Sequence, residues 1–185
     1  MVQIFSEFIE EVEGNKKEGY VPKDDGGPRE SGVTIGTGLD LGQHDLSYLK
    51  RLCLPRDIEE VLLPYLGRVG RAAKIYLSNN PLVLTGDQLR IVNTALLQWT
   101  SQELERQYNK VSKGVLFGSL PPQIQTAIYS VHLQYGNLPA RTPRFWSAAI
   151  SQRWEELHYE LLHFGDKFYP RRAKEASLIK TVLWK

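Results

Sequence analysis

Residues 12–43 constrain the fold more than any other part of the chain. The stretch begins with Glu13 at the predicted end of a helix and leads to Val33-Thr34-Ile35, a short β-like run. Glycines that permit tight backbone turns surround this run, at positions 32, 36, 38 and 42. We expect the polar groups of the stretch to form the floor of a cleft; these are Glu13, Thr34, Thr37 and Asp40.

Helices are predicted on both sides of this stretch. Apolar residues recur at helical spacing through residues 4–12, and Gly14 supplies a left-handed helix ending. Thr85 and Gln88 form a capping-box pattern, which predicts a long helix to about residue 109. Further helices are predicted from residue 45 onward, from Pro121-Pro122 to Gly136, from 143, over 154–164 and over 171–183. The predicted fold class is mainly α (α+β): a helix, a small β-element and six or so further helices.

Composition excludes several classes of function. Twenty-three basic and twenty-one acidic residues leave a formal charge of +2, which is too small to indicate a nucleic-acid partner. No apolar run is long enough to span a bilayer, and no Sec-type signal pattern opens the sequence, so we expect no membrane partner. The single cysteine, Cys53, excludes an intramolecular disulfide, and its leucine neighbours predict a small buried hydrophobe.

The candidate chemistry is carried by carboxylates. Glu13 lies at a helix end, where the negative end of the dipole favours the protonated form that a general acid needs. Asp40 follows Thr34 by six residues, an even spacing that places both on one face of an extended backbone. Asp24 and Asp25 are rival second carboxylates. The plainer interpretation is that Thr34 is an ordinary strand residue and that Asp40 caps the helix beginning near residue 45.

Other catalytic classes lack their motifs. The four histidines are scattered, without a His-Glu-x-x-His run, so we predict no metal. No Gly-x-Ser-x-Gly elbow supports a serine hydrolase. The glycine spacing fits neither a phosphate loop nor a dinucleotide turn, and we predict no cofactor.

Taken in order, these motifs resemble the phage-type lysozymes and, more closely, the pesticin-like muramidases. The residues that carry the resemblance are Glu13-Gly14, Tyr20, the run from Thr34 to Gly42, the segment 127–136, Phe145-Trp146, Arg153-Trp154 and the segment 171–176. The resemblance implies a lysozyme-like fold with a small N-terminal β-hairpin lobe and a larger helical C-terminal lobe. It implies a single domain over residues 1–185, with lobes of approximately 1–70 and 71–185.

The resemblance also implies a glycoside hydrolase that cleaves the β-1,4 bond between N-acetylmuramic acid and N-acetylglucosamine in peptidoglycan. Glu13 matches the general acid, and Thr34 matches a threonine that places a water or the sugar. Asp40 matches the second carboxylate of the pesticin-like branch, with Asp24 and Asp25 in reserve. The residues assigned to substrate binding are Thr37, Gln43, Gln134 and Arg172; the last is similar to an arginine that pairs with the catalytic glutamate.

The biological setting implied is the lytic domain of an antibacterial toxin or effector, or a phage endolysin. The expected partners are glycan strands of peptidoglycan and a cognate immunity protein, and the expected state is a monomer. The expected place of action is the periplasm or cell wall, reached through a secretion system, toxin uptake or phage lysis. Two alternatives remain: a non-catalytic peptidoglycan-binding module, and a glycosidase that cleaves chitin or chitosan or forms anhydro ends by transglycosylation.

Overall fold

The computed structural model describes residues 1–22 and 30–183, and the chain forms two compact units. The sheet unit comprises Glu13–Trp99, and the helical unit comprises Met1–Val12 with Thr100–Lys185. The predicted fold class is confirmed, because helices dominate and one three-stranded sheet is present in the described part of the chain. The units divide at residues 99 and 100, inside a helix, rather than near residue 70. A single domain over 1–185 stays a prediction.

The sheet unit is organised around three antiparallel strands. These are β1 (Lys16–Tyr20), β2 (Thr34–Gly36) and β3 (Leu39–Asp40), in the order β1-β2-β3. The register places Tyr20 opposite Thr34 and Thr34 opposite Asp40, with an irregularity between Lys16 and Tyr20. Directly opposed residues of antiparallel strands project from the same face. The side chains of Tyr20, Thr34 and Asp40 therefore form a row on one face of the sheet.

Helices cover the apolar side of the sheet unit. They are α2 (Leu46–Arg51), α3 (Arg56–Leu62), α4 (Gly70–Asn79) and the first part of α5 (Gly86–Val111). The capping box is confirmed: the Thr85 amide donates to Gln88 at 3.0 Å, and the Gln88 amide donates to Thr85 Oγ1 at 3.2 Å. The buried apolar core of this unit includes Val33, Ile35, Leu39, Leu41, Leu49, Ile58, Leu62, Ala73, Leu84 and Val92.

The prediction that Cys53 is buried was wrong. Cys53 is exposed and has a φ of 50°, in the left-handed region, while Leu52 and Leu54 on either side are buried. The left-handed turn follows the end of α2 and directs the thiol outward while its neighbours face the core. Burial of the two neighbouring leucines therefore does not imply burial of Cys53.

The helical unit packs around one central helix. α6 (Pro122–Tyr135) is buried at every position from Ile124 to His132, as expected of a helix enclosed on all sides. The other helices are α1 (Ser6–Glu13), the second part of α5, α7 (Leu138–Arg141), α8 (Pro143–Ile150), α9 (Trp154–Leu162) and α10 (Tyr169–Leu183). The last residue of α1, Glu13, belongs to the sheet unit. The predicted ending of α6 is confirmed, because Gly136 has a φ of 66°. Among the described residues, no helix combines the length and apolarity needed to cross a membrane.

A buried ionic cluster joins α6 to α10. The guanidinium of Arg172 donates from Nε to Asp166 at 3.0 Å, from Nη1 to Glu175 and from Nη2 to the amide oxygen of Gln134. Arg171 Nε donates to the other oxygen of Glu175 at 3.1 Å. Arg172 and Glu175 are both fully buried. Burial alone would lower the pKa of Arg172, but its pairs with Glu175 and Asp166 raise that pKa above the ordinary value.

His132 gives this core a pH dependence. Its side chain is 8% exposed, and Nδ1 has no hydrogen-bond partner among the described residues. Burial lowers the pKa of His132 below 6.5, although a hydrogen bond with the Gly136 backbone opposes the shift. The unfolded chain therefore binds a proton at a higher pH than the folded chain does. As pH falls through about 6.5, the free energy of unfolding should decrease, by at most about 1.4 kcal/mol per pH unit from this group.

The measurement is urea denaturation of the parent chain and of His132→Gln at several pH values between 8 and 5. Glutamine does not titrate, so the variant should lose less stability on acidification than the parent. Because other titrating groups are common to both chains, the difference between the two curves isolates His132. Parallel curves for the two chains would contradict the assignment.

Candidate active site

The face of the sheet that carries Tyr20, Thr34 and Asp40 is the candidate active site. Thr34 is only 4% exposed, whereas Tyr20 and Asp40 are half-buried at the two sides of it. The Thr34 hydroxyl donates a long hydrogen bond, 3.4 Å, to the Gly32 carbonyl. The strand register thus brings together two of the predicted catalytic residues, Thr34 and Asp40.

Backbone amides hold the Asp40 carboxylate in one orientation. Oδ1 accepts from the Gly32 and Gly42 amides, each at 3.0 Å, and Oδ2 lies 3.2 Å from the Gly32 amide. A Cβ on Gly32 would lie 2.3 Å from the Gly42 Cα, so this approach requires glycine. Asp40 does cap a helix, but it is the single 3₁₀ turn Leu41–Gln43; Asp45 caps α2. Of the two carboxylate oxygens, Oδ2 therefore accepts fewer and longer hydrogen bonds than Oδ1.

Glu13 reaches the same part of the sheet unit from the end of α1. It is the last residue of that helix and is half-buried. A Cβ placed on Gly38, in the turn between β2 and β3, would lie 3.8 Å from Glu13 Oε2. Gly38 is exposed and has a φ of 104°. The Glu13 carboxyl group therefore lies beside the β2–β3 turn, next to a position that carries no side chain.

Both carboxylates affect the pKa of Tyr20. Burial raises the pKa of its phenol, and the negative charges of Glu13 and Asp40 raise that pKa further. The hydroxyl therefore remains protonated, and a hydrogen-bond donor, at neutral pH. The Lys16 ammonium lies 3.9 Å from the centre of the ring. Tyr20 belongs to the motif that carries the resemblance, but no feature of the sequence assigns it a role.

His44 is a polar neighbour that the sequence did not single out. Its ring stacks on Tyr48, with 3.5 Å between ring centres and 6° between planes. Burial lowers the pKa of His44, against the opposing charges of Asp40 and Asp45. The imidazole is therefore neutral at physiological pH. In the described residues, no group of three or more His, Cys, Asp and Glu side chains is arranged to hold a metal ion.

Thr37 and Gln43, the predicted substrate-binding residues of the sheet unit, make hydrogen bonds within it. The Thr37 amide donates to Asn93 Oδ1 at 3.1 Å, and the Thr37 hydroxyl lies 3.4 Å from the same atom. Gln43 is exposed and donates from Nε2 to the Glu30 carbonyl at 2.7 Å. Gln43 is thus accessible to a ligand, whereas Thr37 is 8% exposed and faces α5.

Arg172 and Gln134 lie in the helical unit, in the ionic cluster of α6 and α10. Arg172 has no exposed surface, and all three of its nitrogen atoms donate to Asp166, Glu175 or Gln134. A side chain without surface cannot contact a glycan, so we correct its assignment from substrate binding to the core. Gln134 remains partly exposed. The reserve carboxylates Asp24 and Asp25 fall outside the described residues.

Comparison with known proteins identifies the group to which the chain is related. A family model described as "Pesticin: Bacterial toxin homologue of phage lysozyme, C-term" matches residues 3–155, most of the chain. The chain belongs to the pesticin family. It is accordingly a lysozyme-like domain of the bacterial toxin type. The pesticin match contains Glu13, Thr34 and Asp40 and ends before α10 begins. No curated protein matches the chain.

Proposed function

We propose that the chain is a muramidase that hydrolyses the β-1,4 bond between N-acetylmuramic acid and N-acetylglucosamine in peptidoglycan. The observation that carries the proposal is the placement of two carboxylates in one unit of a pesticin-family chain, with Glu13 beside the β2–β3 turn and Asp40 opposite Thr34 in the sheet. Most glycosidases use two catalytic carboxyl groups, one on either side of the scissile bond.

Glu13 is the proton donor in this proposal. It protonates the glycosidic oxygen as the bond to the anomeric carbon breaks, and positive charge develops on the sugar ring. The glycine at position 38 supports this role, because its φ of 104° disfavours any other residue and so leaves the side of the turn next to Oε2 without a side chain.

Asp40 supplies the second carboxylate. Oδ1 accepts two amide hydrogen bonds and Oδ2 only the longer one from Gly32, so Oδ2 can take the proton from a water that adds to the anomeric carbon, or stabilise the positively charged ring. Thr34 lies between Asp40 and Tyr20 in the sheet, and its weakly bonded hydroxyl is suited to hold a water. Tyr20 donates a hydrogen bond to the substrate or to a carboxylate.

Family membership supports a toxin setting for this activity. We propose that the domain acts on the cell wall of a competing bacterium and that the producing cell protects itself with a cognate immunity protein. A phage endolysin remains the alternative setting. Pull-down of the tagged chain from its producing strain should recover an inhibitor; recovery of none would count against the toxin setting but not against hydrolysis.

Mass spectrometry of peptidoglycan digests tests the reaction itself. Muramidase cleavage should release muropeptides that end in a reducing N-acetylmuramic acid. Anhydro ends would indicate transglycosylation, and release of oligosaccharides from chitin or chitosan alone would indicate another glycosidase. Binding to peptidoglycan without any released product would identify a binding module instead.

Asp40→Asn separates the structural role of this residue from its chemical role. The amide oxygen of asparagine can still accept from Gly32 and Gly42, and only the longer Gly32 contact to Oδ2 is lost because an NH2 group donates, so the fold should be retained. The negative charge is lost, so we expect muropeptide release to fall by about 10²-fold or more, measured as initial rates on purified peptidoglycan. Asp57→Asn is the matched control, since Asp57 is exposed in the first turn of α3. Equal activity of both variants would remove Asp40 from the catalytic pair.

A further inference from the structure

One amide side chain on α5 connects the two segments on which the proposed acid depends. Asn93 lies in the first part of α5, beside the buried Val92, and is itself partly exposed. Its Oδ1 accepts from the Thr37 amide at 3.1 Å, and its Nδ2 donates to Asn15 Oδ1 at 2.9 Å. The two partners are 56 and 78 residues away along the chain. These bonds therefore connect segments that are distant in sequence.

The partners of Asn93 lie on either side of Glu13. Asn15 follows Glu13 by two residues, directly after the end of α1. Thr37 precedes Gly38, beside which Glu13 Oε2 lies. Asn93 therefore bonds to the side chain of the residue two positions after the acid and to the backbone amide of the turn beside which the acid lies.

The β2–β3 turn is shaped to admit this amide. A Cβ on Gly36 would lie 2.3 Å from Asn93 Oδ1, and Gly36 has a φ of 62°. Only glycine adopts this positive φ readily and also lacks a Cβ that would displace the Asn93 amide. The space beside Gly36 is thus filled by Asn93 Oδ1, and the turn is fixed against α5 by a polar contact rather than by apolar packing alone.

We propose that Asn93 is a positioning residue of the active site, which fixes the Glu13 segment relative to the β2–β3 turn. The role rests on the proposed function of Glu13 as the acid. Asn93 acts through Asn15 and Thr37, and it does not touch the reacting atoms. Because a misplacement of about 1 Å reduces catalysis roughly 10²-fold, a contact that sets this geometry acts on turnover more than on binding.

The first test is Asn93→Ala, with Thr94→Ala as the matched exposed control on the same helix. We expect Asn93→Ala to reduce kcat about 10- to 100-fold with KM within about 2-fold of the parent. Thr94→Ala should match the parent in both constants. A proportional loss of active protein, with unchanged constants for the folded fraction, would show a merely structural role and overturn the proposal.

Replacement of the amides of Asn93 and Asn15 by carboxylates provides a second test. In Asn93→Asp the carboxylate still accepts from Thr37, and the Asn15 amide can rotate to donate to it. In Asn15→Asp the Asn93 amide still donates. Each single variant should retain at least about half of the parent kcat, so additive effects would give a loss of at most about 4-fold; the double variant places two acceptors opposite one another and should instead lose about 10- to 100-fold, as Asn93→Ala does. Additive effects of the two substitutions would overturn the proposal.

Amide hydrogen exchange provides a readout that does not need activity. Asn93→Ala should accelerate exchange in the peptides that contain residues 13–15 and 36–38, and Thr94→Ala should not. Unchanged exchange in both peptides overturns the positioning role. If the parent chain releases no muropeptides, the proposed function fails, and the exchange result still decides whether Asn93 holds these segments together.

Discussion

Glu13→Gln should abolish muropeptide release while the melting temperature stays close to that of the parent. Glutamine has the size and shape of glutamate but cannot donate a proton to the glycosidic oxygen. General acid catalysis contributes roughly 10²- to 10⁴-fold to a rate, and we expect a loss in this range. The measurement is the decrease in turbidity of purified peptidoglycan, together with the release of reducing ends.

The helix that ends at Glu13 offers a matched control. Glu11 lies two residues earlier on α1, and its exposed side chain forms an ion pair with Lys174 at 2.6 Å. Glu11→Gln makes the same chemical change without removing a proposed catalytic group, so its activity should equal that of the parent. Glu13→Asp withdraws the carboxyl group by about one bond length and should be intermediate. Full activity of Glu13→Gln would refute the assignment of the acid.

The second large effect concerns stability rather than chemistry. Arg172→Met should lower the free energy of unfolding by about 3–5 kcal/mol, because it leaves the buried carboxylate of Glu175 with one of its two arginine partners removed. Asp166 would lose an ion pair in the same step. Burial tends to raise the pKa of Asp166, but hydrogen bonds from Tyr135, the Phe168 amide and Arg172 lower it overall. The measurement is urea denaturation of the parent and the variant.

Two further variants test the physical basis of this loss. Arg172→Lys keeps the charge but cannot donate to Asp166, Glu175 and Gln134 in the geometry of a guanidinium, so it should also be destabilised. Arg56→Ala removes an ion pair whose side chains are 92% and 62% exposed, and it should cause no measurable change. Equal stability of Arg172→Met and the parent would show that the cluster contributes nothing to folding.

The parts of the fold that follow from short-range rules were predictable from sequence. The ending of α1 at Gly14, the capping box at Thr85 and Gln88, and the ending of α6 at Gly136 each depend on atoms within a few residues. The even spacing of Thr34 and Asp40 likewise predicts that they share a face, although they do so as a pair across the β2–β3 turn and not along one strand. The exposure of Cys53 was not predictable in this way, since it depends on a left-handed residue after α2.

The residues that support the site were harder to find. Asn93 is an ordinary polar position on a helix, and its partners lie too far along the chain for any periodic pattern to indicate them. The ion pairs of Arg172, in contrast, can be detected in the sequence. Arg172 and Arg171 precede Glu175 by three and four residues, which is the spacing of ion pairs on one helical face. That spacing predicts pairs within α10, although it does not predict their burial.

The register of the sheet has a consequence for the lengths of its two connections. Thr34 and Asp40 face one another across a short turn, so one residue inserted between them would move Asp40 to the opposite face. Residues added between β1 and β2 do not change the number of residues between Thr34 and Asp40, and lengthening a connection carries only a small additional entropy cost. We therefore expect an epitope tag to be tolerated between β1 and β2 and to inactivate the chain between β2 and β3.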